Sequence, residues 1–207
     1  MRADVVLHNY RPDTAARLGL DDERIRALNP RAVVCSLSGY GANGPLRNKP
    51  GYDLMMQAFS GAMGLTGYEG GEPVRVGVSF IDMAAGITTY AAIVTALMAR
   101  ERTGIGGTAR TSLLETGVSI LGYHAVSWLQ AGIVPRKEGC HAGNLSPYQP
   151  FLCTDGYVVA GATNDRVFAT LCAILGRGDL VADPGFLTNV LRVRNRGALN
   201  DGLNPIF

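Results

Sequence analysis

Residues 74–107, VRVGVSFIDMAAGITTYAAIVTALMARERTGIGG, carry the strongest structural signal in the chain. Alternating Val74, Val76 and Val78 predict a short β-strand ending near Phe80. Asp82 follows, then Met83 to Ala99 without a charge, then Arg100-Glu101-Arg102 and glycines at 104, 106 and 107. The order is strand, acidic start, buried helix, stop. An aspartate at a helix start accepts hydrogen bonds from free backbone N–H groups, arginines in the last turn oppose the dipole's negative end, and Gly104 supplies a left-handed residue. On these local rules Asp82 is a helix cap.

Toward the N-terminus, Ala3 to His8 is a short apolar strand of the kind found inside a parallel sheet, with partners on both sides. Asn9-Tyr10-Arg11-Pro12 is the turn at its carboxyl end, where open α/β sheets bind ligands. Pro12 presets a helix from about Asp13 to Gly19, and Asp21 caps another over Asp22 to Leu28, closed by Asn29-Pro30. Ala32 to Leu37 is the next strand. It runs into Ser38-Gly39-Tyr40-Gly41, Gly44 and Pro45, a loop long enough to wall a ligand site. Asp53 to Ser60 reads as a helix with Tyr52 as an aromatic anchor at its start. The glycines at 61, 64, 67, 70 and 71 form a flexible loop; no βα unit of the right order surrounds them, so they are not a phosphate-binding fingerprint.

Toward the C-terminus, Thr108 to Ser112 is expected to be a strand and Leu113 to Gln130 a single helix with Tyr123, Val126 and Leu129 among its buried residues. Gly, Pro and polar residues from 131 to 150 mark the domain boundary. This gives a first domain over 1–132, a linker over 133–150 and a second domain over 151–207. The second opens with a hairpin, Phe151-Leu152-Cys153 and Tyr157 to Ala160, around Asp155-Gly156 as a type I′ turn. Asn164 or Asp165 caps a helix to Leu175 that Gly176 stops, and Asp183-Pro184-Gly185-Phe186 turns into a polar stretch rich in Asn and Arg.

The chain has 207 residues, enough for one domain or one and a half, and a formal net charge of +2 with scattered Lys and Arg. A nucleic-acid surface would need a clustered basic face. Cysteines at 35, 140, 153 and 172 lack CxxC spacing and read as reduced, buried thiols of a cytoplasmic protein. The three histidines offer no zinc-like spacing, and no metal is expected. Residues 83–99 and 116–135 carry no Asp, Glu, Lys or Arg. The first run is short and only weakly hydrophobic, and no charge asymmetry orients a pair of spans. A helix packed between a sheet and another subunit or domain fits better than a membrane span.

Asn9-Tyr10-Arg11-Pro12, Leu18-Gly19-Leu20, Leu28-Asn29-Pro30-Arg31, Ser36 to Gly41, Gly44-Pro45, Gly51-Tyr52-Asp53, Val76-Gly77-Val78, Asp82-Met83 and Arg100 to Gly104 form one ordered set. That set resembles the class III CoA-transferase family, which includes formyl-CoA and carnitine CoA-transferases. His141 to Asn144, Pro147-Tyr148 and Asp155-Gly156 continue the likeness more loosely. The resemblance implies an α/β fold: part of a Rossmann-like large domain with a parallel sheet, followed by the start of a small α+β domain. It also implies an N-terminal Rossmann-like half before Ala3 and a return to the large domain after Phe207, so this stretch is expected to be a middle section of a longer enzyme or a shortened relative. Family members form interlocked homodimers. They also carry a mobile glycine-containing loop where this chain has Leu145-Ser146-Pro147.

By the same resemblance Asp82 is the nucleophile, and coenzyme A lies against Asn9, Tyr10, Arg11, Arg17, Lys49, Pro50, Gly51 and Tyr52. CoA carries a 3′-phosphate and a diphosphate, which guanidinium groups bind in bidentate geometry. Read without the family, Arg11, Arg17 and Lys49 are solvated surface charges. The implied reaction moves CoA from an acyl-CoA thioester to a small carboxylic acid through an aspartyl anhydride and an aspartyl-CoA thioester. The N-terminal end of the helix is expected to keep Asp82 ionised, with exposed N–H groups nearby to hold an oxyanion. Relatives that racemise acyl-CoA thioesters have a histidine where this chain has Tyr52. A phenol, with an ordinary pKa of about 10, is a poor proton acceptor at neutral pH, which disfavours the racemase alternative. A non-catalytic remnant is the third reading.

Overall fold

An uninterrupted apolar run such as Ala32 to Cys35 can be buried on both sides only in the middle of a sheet. In the computed structural model, which describes residues 3–207, β1 (Val5–His8) and β2 (Val33–Ser38) pair in parallel, with Val5 opposite Val33 and Leu7 opposite Cys35. Val33, Val34 and Cys35 are fully buried. Between these strands lie α1 (Pro12–Arg17), with proline in its first turn, and α2 (Asp22–Leu28), capped by the Asp21 side chain on the Arg24 N–H. Next come α3 (Asp53–Phe59), the single turn α4 (Ala62–Leu65) and α5 (Phe80–Thr103). The chain then returns as β3 (Thr108–Ser112), parallel to β2 with Ser38 opposite Ser112. The described sheet has the order β1-β2-β3, with β1 at its edge and Leu7 exposed.

No strand forms over 74–80. Its alternating valines have no neighbouring ladder; the Val76 N–H donates instead to Oε1 of Gln57 on α3 at 2.9 Å. α5 begins at Phe80 and ends at Thr103, with Gly104 at φ 75° and its N–H returned to the Arg100 carbonyl. Ile81 and Ala85 pack with Met56 and Leu113 into one core cluster, and Ile25, Ala32 and Val34 form a second.

The single helix expected over 113–130 is two, α6 (Leu113–Ser119) and α7 (Tyr123–Ala131). Ser112 caps α6, its Oγ accepting from the Glu115 N–H and donating to the Glu115 carboxylate. Gly122, at φ 56° and ψ −125°, breaks the path before α7. Tyr123, Val126 and Leu129 are exposed, not buried.

Residues 3–66 with 72–136 form one unit, and 67–71 with 137–207 another. The short segment joins the second unit through Gly139 N–H to the Gly67 carbonyl (2.9 Å) and Lys137 Nζ to the Gly71 carbonyl (2.8 Å). In this unit β4 (Tyr148–Cys153) and β5 (Gly156–Gly161) make an antiparallel hairpin. Cys153 faces Gly156, so the two turn residues are Thr154 and Asp155, one place earlier than the Asp-Gly signal suggests. Then follow α8 (Asp165–Ile174), capped by Asn164, α9 (Gly178–Ala182), α10 (Asn189–Arg194) and α11 (Arg196–Leu203), with a final 3₁₀ turn. The polar stretch after Phe186 is thus mostly helical. Phe151, Phe168, Cys172, Leu199 and Leu203 form the core. Cys35 and Cys172 are buried as expected, but Cys140 is exposed.

Arg192 is fully buried in this second unit. It donates to the carbonyls of Ser146 (2.9 Å) and Phe186 (3.0 Å) and to Asp165 (2.7 Å), and lies over the Phe168 ring. Asn189 holds the Ser146 N–H and the Asn144 carbonyl. The Asn144–Pro147 segment is therefore tied to α10 by three hydrogen bonds, where relatives are expected to have a mobile loop.

Candidate active site

Asp82 is the third residue of α5, and the first turn of any helix leaves N–H groups that need acceptors. Here the acceptor comes from a different helix. Oδ2 of Asp53, the first residue of α3, takes the N–H groups of Ile81 (2.9 Å) and Asp82 (3.2 Å). The Phe80 N–H goes to the Val78 carbonyl and that of Met83 to the Ser79 carbonyl. Asp82 therefore does not cap α5; Asp53 does. Among the described residues no donor pairs with the Asp82 carboxylate.

The N–H groups of residues 80–83 are thus all engaged.

Asp53 is itself fixed. It is buried, and its Oδ1 accepts from Nε2 of Gln57, one turn along α3. Gln57, also buried, accepts from the Val76 N–H through Oε1 and approaches the Val78 carbonyl with Nε2 at 3.4 Å. An i, i+4 pair of Asp and Gln on the inner face of DLMMQAF is the sequence signal for this network; the sequence reading used Asp53 only as part of a motif.

Asp82 as a whole is exposed, yet its carboxyl group is partly shielded from water. This desolvation, and next the negative charge of Asp53, raise its pKa above the ordinary 3.8. Two effects thus oppose the helix dipole. Both make the carboxylate more basic, which favours nucleophilic attack as long as it remains ionised.

The carboxylate faces a cleft of ≈ 300 Å³ bounded by Asn9, Ser38, Gly39, Gly51, Tyr52 and Leu113, among others. An adjoining cleft of ≈ 390 Å³ shares Asn9, Ser38, Gly39, Gly51 and Tyr52 as a common wall and adds Tyr10, Arg11, Thr14, Lys49 and Pro50. Seven of the eight residues expected against CoA therefore line one cleft. Arg17 lines neither; it is exposed and reaches Thr14 Oγ1 at 3.5 Å. Arg11 donates to the Asn48 carbonyl at 3.0 Å, tying α1 to the loop that presents Lys49.

Gly39 and Gly51 cross backbone to backbone within the shared wall. A Cβ on Gly39 would lie 2.8 Å from Gly51 Cα, so both positions require glycine. Among the described residues no cluster of His, Cys, Asp and Glu could hold a metal ion.

Known proteins resemble this chain in sequence and fold. The chain is 44% identical over 205 residues to an acyl-CoA transferase of Fusarium pseudograminearum, covering 99% of this chain and 45% of that protein. It is 40% identical over 204 residues to succinyl-CoA:glutarate CoA-transferase of Mus musculus, covering 99% and 47%. It thus spans about half the length of the curated relatives it matches. Among solved structures, a CAIB/BAIF family protein from Brucella suis superposes with a TM-score of 0.80 at 37% identity, over 98% of this chain and 54% of that one. CoA-transferase family III matches residues 1–207 without remainder, and the chain belongs to that family.

Proposed function

We propose that the protein moves CoA from an acyl-CoA thioester to a carboxylic acid, with Asp82 as the nucleophile. The observation that carries this reading is the division of labour at the start of α5: Asp53 caps the helix and leaves the Asp82 carboxylate without a partner, facing a cleft. A carboxylate oxygen of Asp82 attacks the thioester carbonyl, the carbon–sulfur bond breaks, and an aspartyl anhydride and CoA thiolate result. The thiolate attacks the aspartyl carbonyl, the donor acid leaves, and Asp82 becomes a CoA thioester. An acceptor carboxylate attacks that thioester to give a second anhydride and thiolate again. Attack of the thiolate on the acceptor carbonyl releases the new acyl-CoA and free Asp82. No proton is consumed, and the thioester energy passes through each covalent step.

Arg11 and Lys49 supply positive charge to the adjoining cleft, suited to the phosphates of CoA. Tyr52 on the common wall offers no base for the α-proton transfer of a racemase. Glutarate in the name of the mouse relative makes a small dicarboxylic acid the first acceptor to test. Exposed Met83, Ile87, Tyr90 and Met98 on α5 suit burial against a second copy of the chain in a homodimer.

Intact-mass measurement with short acyl-CoA esters, trapping by hydroxylamine and peptide mapping test the reading. An adduct on Asp82, absent from Asp82→Ala, is expected. Undiminished CoA transfer by Asp82→Ala would overturn it.

A further inference from the structure

We propose that Asp53 is a positioning residue for Asp82: held in one orientation by Gln57, it caps α5 in place of Asp82 and keeps the reactive carboxylate free at the cleft. The inference rests on Asp82 being the nucleophile, and its argument is one of donors and acceptors.

Gln57 cannot turn its amide over. Oε1 must face the Val76 N–H, so Nε2, a donor only, faces Asp53 and the Val78 carbonyl. Asp53 is thereby required to accept on both oxygens, from Gln57 on one side and from the N–H groups of Ile81 and Asp82 on the other. Only a carboxylate does this. In Asp53→Asn an NH₂ group confronts either Nε2 of Gln57 or the two backbone N–H groups, and a buried donor is left without an acceptor.

The lock joins three segments. It holds the 76–78 loop through Gln57 and the first turn of α5 through Asp53, while Asp53 follows directly on Gly51 and Tyr52 of the cleft wall. A shift of Asp53 therefore moves Asp82 relative to that wall. It also changes the field at Asp82, since Asp53 is the only charged group among the described residues that acts on it; Tyr52 is the other titratable side chain lining its cleft.

Two measurements test the lock, one independent of turnover. Carbon-13 NMR titration of the aspartate carboxyls in Asp53→Asn should show Asp82 titrating at lower pH, because the repelling charge is gone. Formation of the Asp82 adduct should slow by about 10²-fold at neutral pH, the cost of roughly an ångström of misplacement, with its acid limb moved in the same direction. The exchanged variant Asp53→Asn/Gln57→Glu restores an acceptor opposite the new NH₂ group, gives up the long 3.4 Å contact to the Val78 carbonyl, and should recover part of that loss.

An Asp53→Asn protein with wild-type adduct rates and an unmoved Asp82 titration would refute the proposal, as would an exchanged variant no faster than Asp53→Asn. If Asp53→Asn does not fold, a folded exchanged variant with adduct formation supports the lock, and an unfolded one overturns it. Failure of the nucleophile assignment is distinguishable: Asp82→Ala would then keep transferring CoA, while the NMR titration still reports on the link between the two aspartates.

Discussion

Replacing Gly39 by alanine puts a methyl group into the backbone of Gly51. The new Cβ would stand 2.8 Å from Gly51 Cα and 3.0 Å from Gly51 N, whereas carbon atoms in contact ordinarily sit about 3.5–4.0 Å apart. Neither obstructing atom ends a flexible side chain, so two pieces of main chain must separate by roughly an ångström, at a cost of about 1–3 kcal/mol for overpacking. The Gly39 carbonyl is anchored to the Leu114 N–H at 3.0 Å, which leaves the Gly51 side to yield. Gly51 leads through Tyr52 into Asp53, and the displacement reaches both the cleft wall and the cap of α5. Gly44→Ala is the control. Its φ of +87° strains any side chain, by about 1–2 kcal/mol, but nothing lies within 4 Å and no wall moves. Urea denaturation and calorimetric titration with CoA separate the two effects: Gly39→Ala should lose both stability and CoA affinity, Gly44→Ala stability alone. Wild-type stability and CoA binding in Gly39→Ala, or equal loss of binding in both variants, would refute the reasoning.

Two further outcomes follow from the same contacts. Asp82 has its pKa raised in the folded state, so the folded state binds that proton more tightly than the unfolded one; ionising Asp82 costs stability, fully above its folded pKa and not at all well below the ordinary 3.8. Asp82→Asn should therefore unfold at higher temperature than wild type at pH 7, by a margin that narrows as pH falls toward 3.8, and a lower melting temperature at pH 7 would contradict this. Arg192→Leu strips the acceptors Ser146 O and Phe186 O of their donors and removes the cation over Phe168, and should cost about 2–5 kcal/mol in urea denaturation, where a loss below about 1 kcal/mol would deny the clamp on 144–147.

The parallel sheet and the helix carrying Asp82 were legible because each depends on signals local in sequence: the apolar runs of β1 and β2, Pro12 and Asp21 at helix starts, Gly104 at a stop. The false strand at 74–80 shows where such signals end. Alternation describes a side-chain pattern, but a strand exists only if a neighbour supplies a ladder, and Val76 found the side chain of Gln57 instead. Tyr123, Val126 and Leu129 read as buried because apolar spacing does not say whether a face has something to pack on. At the site, Asp82 was identified by resemblance, and its local reading as a cap was mistaken because the competing cap, Asp53, lies twenty-nine residues away in sequence. A tertiary cap leaves no mark at the helix it serves.

α5 combines the Asp82 end with an unusually apolar stem, and its fastenings bear on how that stem is used. By length and composition it could cross a membrane, yet only 17% of its most apolar window is buried. Ile81, Ala85 and Thr89, one residue per turn, are its buried positions, a stripe too narrow to explain so many exposed apolar side chains. Three polar devices fix that stripe in register: Asp53 on the first turn, the hydroxyl pair Thr89–Thr111 at 2.7 Å in the middle, and Arg100 on Asp4 at 2.9 Å near the end. Insertion into a bilayer would break all three together and strip the helix from β2 and β3. The fastenings favour the proposed use of the outer face, contact with a second copy of the chain. A surface that covers Met83, adjacent to Asp82, would further desolvate the proposed nucleophile and raise its basicity in the direction that Asp53 already sets.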